Sequence, residues 1–153
     1  MFNVVLYEPE IPQNTGNIAR LCAATGCNLY LIGPLGFSLQ DRYLKRAGLD
    51  YWHLVNVTYC DSFQELCELY PQATFYFVST KGRRYYTDVE YQKGDFLVFG
   101  SETRGLPQEL LEKNQDACLR IPMVSQARCL NLSNAVAIVV YEALRKQGFS
   151  GLS

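Results

Sequence analysis

The chain has 153 residues, 48% of them apolar and 19% charged, which suits one compact domain with a sizeable core and excludes a disordered or fibrous class. Fourteen Lys and Arg against 15 Asp and Glu leave a net charge of −1, so any basic surface for a nucleic acid has to be local. Six cysteines with no C-x-x-C pair and a single histidine, His53, support neither a zinc site nor a dense disulfide framework, and reduced thiols are the simpler reading.

The first segment, FNVVLY at 2–7, reads as a buried strand, and nothing before it resembles a basic region followed by an apolar leader core. With no apolar run approaching the roughly 18 residues of a membrane span, a cytoplasmic protein is expected. EPEIPQNTGNIAR follows, in which Asn14 or Thr15 can cap a helix whose apolar face is Ile18, Leu21, Cys22 and Thr25, with Arg20 off that face. NLYLIG at 28–33 is a second strand. The basic group Arg42, Lys45, Arg46 comes next, then a strand LVNVTY at 54–59 and a helix on Phe63, Leu66, Cys67 and Tyr70.

TFYFVS at 74–79 predicts another strand, and KGRRYY at 81–86 sets Lys81, Arg83 and Arg84 beside two aromatic rings. Such a stretch is either a solvated loop or a surface for phosphates and an unstacked base. DFLVFG at 95–100 is a buried strand that empties into SETRGL, and ACLRIP at 117–122 is a sixth, followed by VSQARCLNLSN. The closing stretch Leu132–Leu144 is apolar nearly all round, which a helix with one wet face would not show. It is either a central helix of the monomer or, as we favour, part of a symmetric dimer interface.

Continuous apolar strands alternating with helices predict an α/β fold, a mainly parallel doubly wound sheet covered on both faces. Ligands of such sheets bind beyond the carboxyl ends of the strands. There the chain places Asn14 to Arg20, Gly100 to Leu106, and Val124 to Asn134, rich in amides, hydroxyls, arginine and one carboxylate. No G-x-G-x-x-G and no P-loop motif is present, and one histidine makes a Ser-His-Asp site improbable. Taken singly, Asn131 or Ser133 could be a helix cap, Glu102 and Arg104 a surface ion pair, and Arg20 a solvated helix residue.

Taken together, NTGNIAR (14–20), FGSETRGL (99–106) and IPM…RCLNLSNAVAI (121–138) resemble, in order and spacing, the three motifs of the SPOUT class of RNA 2'-O-ribose methyltransferases. The resemblance spans essentially the whole chain. The lack of an added RNA-binding domain is similar to the TrmL (YibK) branch of that class, which methylates the wobble position of tRNA. The resemblance implies a single SPOUT domain over 1–153 with a C-terminal deep trefoil knot, a homodimer, no metal, and S-adenosylmethionine as methyl donor. An rRNA methyltransferase and a non-catalytic RNA-binding protein of the same fold are the alternatives.

Carried onto this chain, the resemblance assigns catalysis to Arg20 with Asn14, Glu102, Asn131 and Ser133. It assigns cofactor binding to Val78, Gly100, Ile121, Met123, Cys129 and Leu130, where relatives often have serine at the position of Cys129. RNA contacts fall to Lys81, Arg83, Arg84, Arg104, Arg128 and Tyr141. In this reading Gly100 lets backbone approach the cofactor and Gly105 permits the return turn.

Overall fold

The computed structural model describes residues 1–40, 44, 46 and 51–153, so the expected cluster residues Arg42 and Lys45 lie outside the described residues. In chain order the elements are β1 (Asn3–Tyr7), α1 (Pro12–Thr25), β2 (Asn28–Ile32), a 3-10 turn (Trp52–Leu54), β3 (Val57–Cys60), α2 (Phe63–Leu69) and β4 (Phe75–Val78). These are followed by β5 (Arg84–Tyr85), β6 (Phe96–Phe99), α3 (Gln108–Lys113), a 3-10 turn (Gln115–Ala117), β7 (Cys118–Arg120) and α4 (Leu132–Lys146).

The strands form one seven-stranded sheet of order β3-β2-β1-β6-β4-β7-β5, and every pairing in it is parallel. Side chains alternate across a strand, so each apolar run supplies both faces. Val4, Leu6, Leu29, Leu31, Leu97 and Phe99 turn to one side, where α1 and α4 cover them with Ile18, Ala19, Cys22, Val136, Val139 and Val140. Val5, Tyr30, Ile32, Phe77, Phe96 and Val98 turn to the other, against Leu66 of α2 and Leu111 of α3. The expected three-layer α/β architecture is therefore present.

Four local features differ from the sequence reading. The strand expected over 54–59 starts at Val57, because the amides of Leu54 and Val55 bond back to the carbonyls of Tyr51 and Trp52 and so leave the ladder. Within KGRRYY, Arg84 and Tyr85 form a two-residue edge strand on β7, and α3 is a six-residue helix too short to carry a visible apolar period. Helix α1 begins at Pro12 with Ile11 as its N-cap, and no side chain of its own caps it. Asn14 and Thr15 lie inside the helix, which corrects the expected capping role; proline suits the first helical position because its missing N–H would be unpaired anyway.

Helix α4 buries Val136, Val139, Val140, Ala143 and Leu144. Ala137 and Ile138 remain half-buried and Tyr141 is 44% exposed, so the apolar circumference is covered on one side only within this chain. To reach α4, which packs beside α1, the chain leaves β7 on the far side of β4 and returns over the ends of β4, β6 and β1 through a largely exposed segment, 121–131. No helix among the described residues is long and apolar enough to cross a membrane.

Candidate active site

The carboxyl ends of β1, β6, β4 and β7 are neighbours in the sheet, and the register aligns them: Leu6 and Val78 both pair with Phe99, and Val78 also pairs with Leu119. The loops that leave these ends enclose a cleft of about 680 Å³. All six residues that the resemblance assigns to the cofactor, Val78, Gly100, Ile121, Met123, Cys129 and Leu130, line it. Asn14, Glu102 and Asn131 line it too, and Arg104 and Arg128 stand at its wall.

Its floor is apolar, with Phe99, Leu106, Leu132 and Ala135, while Ser79, Thr80, Ser101 and Thr103 supply hydroxyls. Pockets of a few hundred to about 1,000 Å³ with an apolar body and a few polar groups suit small organic ligands. Gly100 is dictated by the fold. A Cβ built on it would lie 2.2 Å from the carbonyl carbon of Gly105 and 2.4 Å from the amide nitrogen of Leu106, far inside contact distance. Gly105 returns the chain with φ of +66°, a conformation that side chains disfavour, and its amide donates to the carbonyl of Ser101 at 3.0 Å.

One hydrogen-bonded series ties the three sequence motifs together. The Glu102 carboxylate accepts from the backbone amides of Glu10 and Ile11, both at 2.8 Å, and from Nδ2 of Asn14 at 3.2 Å. A carboxylate only accepts, so Asn14 must turn its amide nitrogen toward Glu102 and its carbonyl away. That carbonyl accepts from Nδ2 of Asn131 at 3.2 Å. The carbonyl of Asn131 in turn accepts from the amides of Ser133 and Asn134 at 2.9 and 3.3 Å and from the Ser133 hydroxyl at 2.6 Å. Each amide is thus oriented by the one before it, from a carboxylate on the β6 loop through α1 to the first turn of α4.

Two roles follow that the residues' types alone did not separate. Glu102 takes over the capping of α1 from 88 or more residues away, placing negative charge where the helix dipole favours it. Asn131 is the N-cap of α4, as the simpler reading of that residue holds, and at the same time a link in the series. Glu102 does not pair with Arg104; the Arg104 guanidinium reaches Glu8 at 3.4 Å instead. Glu10, which the sequence reading passed over, secures the same junction: its carboxylate accepts from the Thr103 hydroxyl at 2.7 Å and the Thr103 amide at 3.1 Å. These bonds hold the Glu10 carboxyl below its ordinary value.

Arg20 departs from this group. It lies six residues beyond Asn14, roughly 9 Å along the axis and about 240° around it by helix geometry. It is exposed, does not line the cleft, and stacks its guanidinium 4.9 Å over the ring of Tyr51. Tyr141 also lies off the cleft, on the outer side of α4. Lys81 and Arg83 line a separate depression of about 100 Å³ together with Glu112, and Lys81 donates to Gln108 at 3.0 Å. Arg84 spends its guanidinium on the carbonyls of Asp116 and Asp88, and Tyr86 is packed against the core, so only Tyr85 presents an open ring, with Arg120 5.1 Å from it.

Among the described residues no group of three or more His, Cys, Asp or Glu is placed to hold a metal. His53 is at the surface. Burial pushes the thiols of Cys22, Cys27, Cys60 and Cys118 up, while Cys129 is exposed at the cleft.

An open parallel sheet with an apolar-floored, polar-rimmed cleft at the carboxyl ends of its central strands defines the class: an α/β protein built around a site for a nucleotide-sized ligand. Within that class the chain belongs to the SpoU rRNA Methylase family, whose model matches residues 1–141. It is 51% identical over 152 residues to the tRNA (cytidine(34)-2'-O)-methyltransferase of Saccharophagus degradans, an alignment covering 99% of each chain. A solved structure described as giving structural insights into the 2-OH methylation of C/U34 on tRNA superposes with a TM-score of 0.93 at 45% identity, covering 97% of both chains. The SpoU methyltransferase AviRb of Streptomyces viridochromogenes, solved in complex with the cofactor AdoMet, superposes with a TM-score of 0.86 at 25% identity, covering 97% of this chain and 61% of that one.

Proposed function

We propose that this chain transfers a methyl group from S-adenosylmethionine to the ribose 2'-hydroxyl of the wobble nucleotide, a cytidine or uridine, in a tRNA anticodon loop. The observation that carries the reading is the continuous Glu102–Asn14–Asn131–Ser133 series. It gathers the three motifs at one cleft rim in a chain half identical to a tRNA (cytidine(34)-2'-O)-methyltransferase.

The cleft fits the cofactor on its own geometry. Gly100 is required by the return of the Gly105–Leu106 backbone against it and not by a ligand, which corrects its expected role, while Val78, Ile121, Met123 and Leu130 offer apolar surface for a purine ring. S-adenosylmethionine, when bound there, supplies a methyl group on a positively charged sulfur. The protein's own contribution is chiefly positioning, which for a two-reactant displacement is worth several kcal/mol of barrier, about 7 or more at best.

Glu102, Asn14 and Asn131 fix the rim. Their mutual hydrogen bonds leave little torsional freedom, so the loops against cofactor and ribose are held before either binds. Arg20, which lies off the cleft of its own chain, orients an RNA phosphate and the attacking hydroxyl where the second copy of the homodimer brings its α1 to the cleft. A guanidinium has five donors and no acceptor, so it holds the phosphate as a fork, and the phosphate oxygen offers the hydroxyl proton a destination.

In this reading the open side of α4, with Ala137, Ile138 and Tyr141, seats a second copy of the chain, and the homodimer shares one tRNA. The returning segment 121–131 is the part of the chain that would be threaded as a trefoil knot, and one SPOUT domain accounts for 1–153. Arg104 and Arg128 face RNA at the cleft, and Lys81, Arg83 and Arg84 contact it further out.

The test is site mapping. 2'-O-methylation compared in total RNA from cells with and without the gene is expected to lose a mark at tRNA position 34 alone. Loss of an rRNA mark instead would redirect the assignment. Purified protein that binds the cofactor yet leaves an anticodon stem-loop unmethylated would refute turnover.

A further inference from the structure

Arg20, like Arg120 over Tyr85, is held by an aromatic ring, in contrast to the arginines that spend their donors on acceptors. Arg145 spends its donors on Glu142 at 2.8 and 3.0 Å, Arg84 on two backbone carbonyls, and Arg104 on Glu8. Among the described residues Arg20 has neither a carboxylate within ion-pair distance nor an acceptor for its N–H groups. It lies over the ring of Tyr51, whose centroid is 4.9 Å from the guanidinium carbon.

That ring has a fixed base. The Leu54 amide bonds to the Tyr51 carbonyl at 2.9 Å, closing the 3-10 turn, and Trp52 at the head of that turn packs against the core beneath α1. The difference between stacking and ion pairing matters here. A carboxylate would occupy the N–H edge of the guanidinium, whereas an aromatic face engages its flat side and leaves all five donors in the plane.

We propose that Tyr51 is a positioning residue for Arg20. It holds the guanidinium plane at a set angle on the surface of α1 while keeping the donor edge open for the phosphate next to the target ribose. The inference rests on the role proposed for Arg20. It also fits the lack of a charged partner among the described residues: a partner strong enough to order Arg20 by its donors would compete with RNA for those donors.

The test is single-turnover methylation of an anticodon stem-loop by Y51F, Y51L, R20A, R20K and the Y51L/R20K pair, with cofactor affinity and Tm measured alongside. Y51F keeps the ring and is expected to retain at least half of the wild-type rate. Y51L is expected to lose roughly 5- to 30-fold in rate, the range that stacking free energies of about 1–2 kcal/mol allow, with cofactor affinity and Tm unchanged. In the R20K background, Y51L is expected to cost less than twofold, because a lysine has no plane to orient.

An inactive R20A together with a Y51L of wild-type rate would overturn the positioning role while leaving Arg20 in place. So would a Y51F as impaired as Y51L, or a Y51L that loses Tm and cofactor affinity in step with rate. An active R20A would instead overturn the reading beneath it.

Discussion

Replacing Glu102 by glutamine changes one atom's chemistry and nothing of the side chain's size, and the structure makes its consequence calculable. Both carboxylate oxygens accept: one from the Glu10 amide, the other from the Ile11 amide and Asn14 Nδ2. A glutamine can present an oxygen to only one of these two groups, so its NH2 must face a donor on the other. The favoured arrangement keeps the oxygen on the side with two donors and sets the NH2 against the Glu10 amide, at a place where the carboxylate oxygen stood 2.8 Å away.

One hydrogen bond to a charged group is then lost, worth about 1.5–3 kcal/mol, and the remaining two weaken to neutral strength. For a chain of this length Tm moves by roughly 2–4 °C per kcal/mol, so E102Q is expected to melt about 3–12 °C lower. Because Asn14 and then Asn131 are oriented by Glu102, cofactor affinity is expected to fall as well. Thermal unfolding by circular dichroism and titration with S-adenosylhomocysteine measure the two. An E102Q protein with unchanged Tm and unchanged affinity would show that the series does not organise the cleft, and the assignment of Asn14 and Asn131 would fall with it.

Further outcomes are expected from the same geometry. In the native protein, iodoacetamide is expected to alkylate the exposed Cys129 well before the buried Cys22, Cys27, Cys60 and Cys118, whose thiols burial pushes up, and S-adenosylhomocysteine is expected to protect it; mass spectrometry of the modified peptides decides. G100A drives a methyl into the backbone of Gly105 and Leu106, so it is expected to cost about 1–3 kcal/mol of stability and most of the cofactor affinity, read by unfolding and calorimetry. The Glu10 carboxyl sits below its ordinary value of 4.5 because Thr103 donates to its ionised form. Its contribution is therefore fully present above that value and lost as pH falls through the lower folded one, and the acid limb of a stability profile is expected to be shallower in T103V, the difference from wild type being complete at pH 7 and vanishing at low pH. Neutralising Lys81, Arg83 and Arg84 together is expected to weaken tRNA binding and flatten its dependence on salt, since each phosphate contact contributes to that slope; a parallel salt plot would place the RNA surface elsewhere.

Much of this protein is written locally. The six longer strands follow from apolar runs rich in Val, Tyr and Phe, and the split of each run into two faces follows from the two-residue alternation of a strand, which makes a sheet covered on both sides legible in the sequence. The three polar segments could be picked out because each follows a strand of such a sheet. What no local rule contains is which strand lies beside which. Residues 3–7 and 96–99 become neighbours only in the sheet, and that pairing lets Glu102 cap a helix that starts at Pro12.

The reach of single side chains was settled the same way. Asn14 reads as a cap in the sequence and proves to be a relay inside the helix, because the acceptor that caps α1 arrives from a loop 91 residues away. Arg20 sits two residues past the buried Ile18, yet the turn of α1 carries it away from the cleft and onto Tyr51, a partner with no sequence signal linking the two. Period and composition act over a few residues and so fix strands, helices and their buried faces. Charge orientation and cleft shape depend on contacts between segments tens of residues apart, and these exist only once the chain has folded.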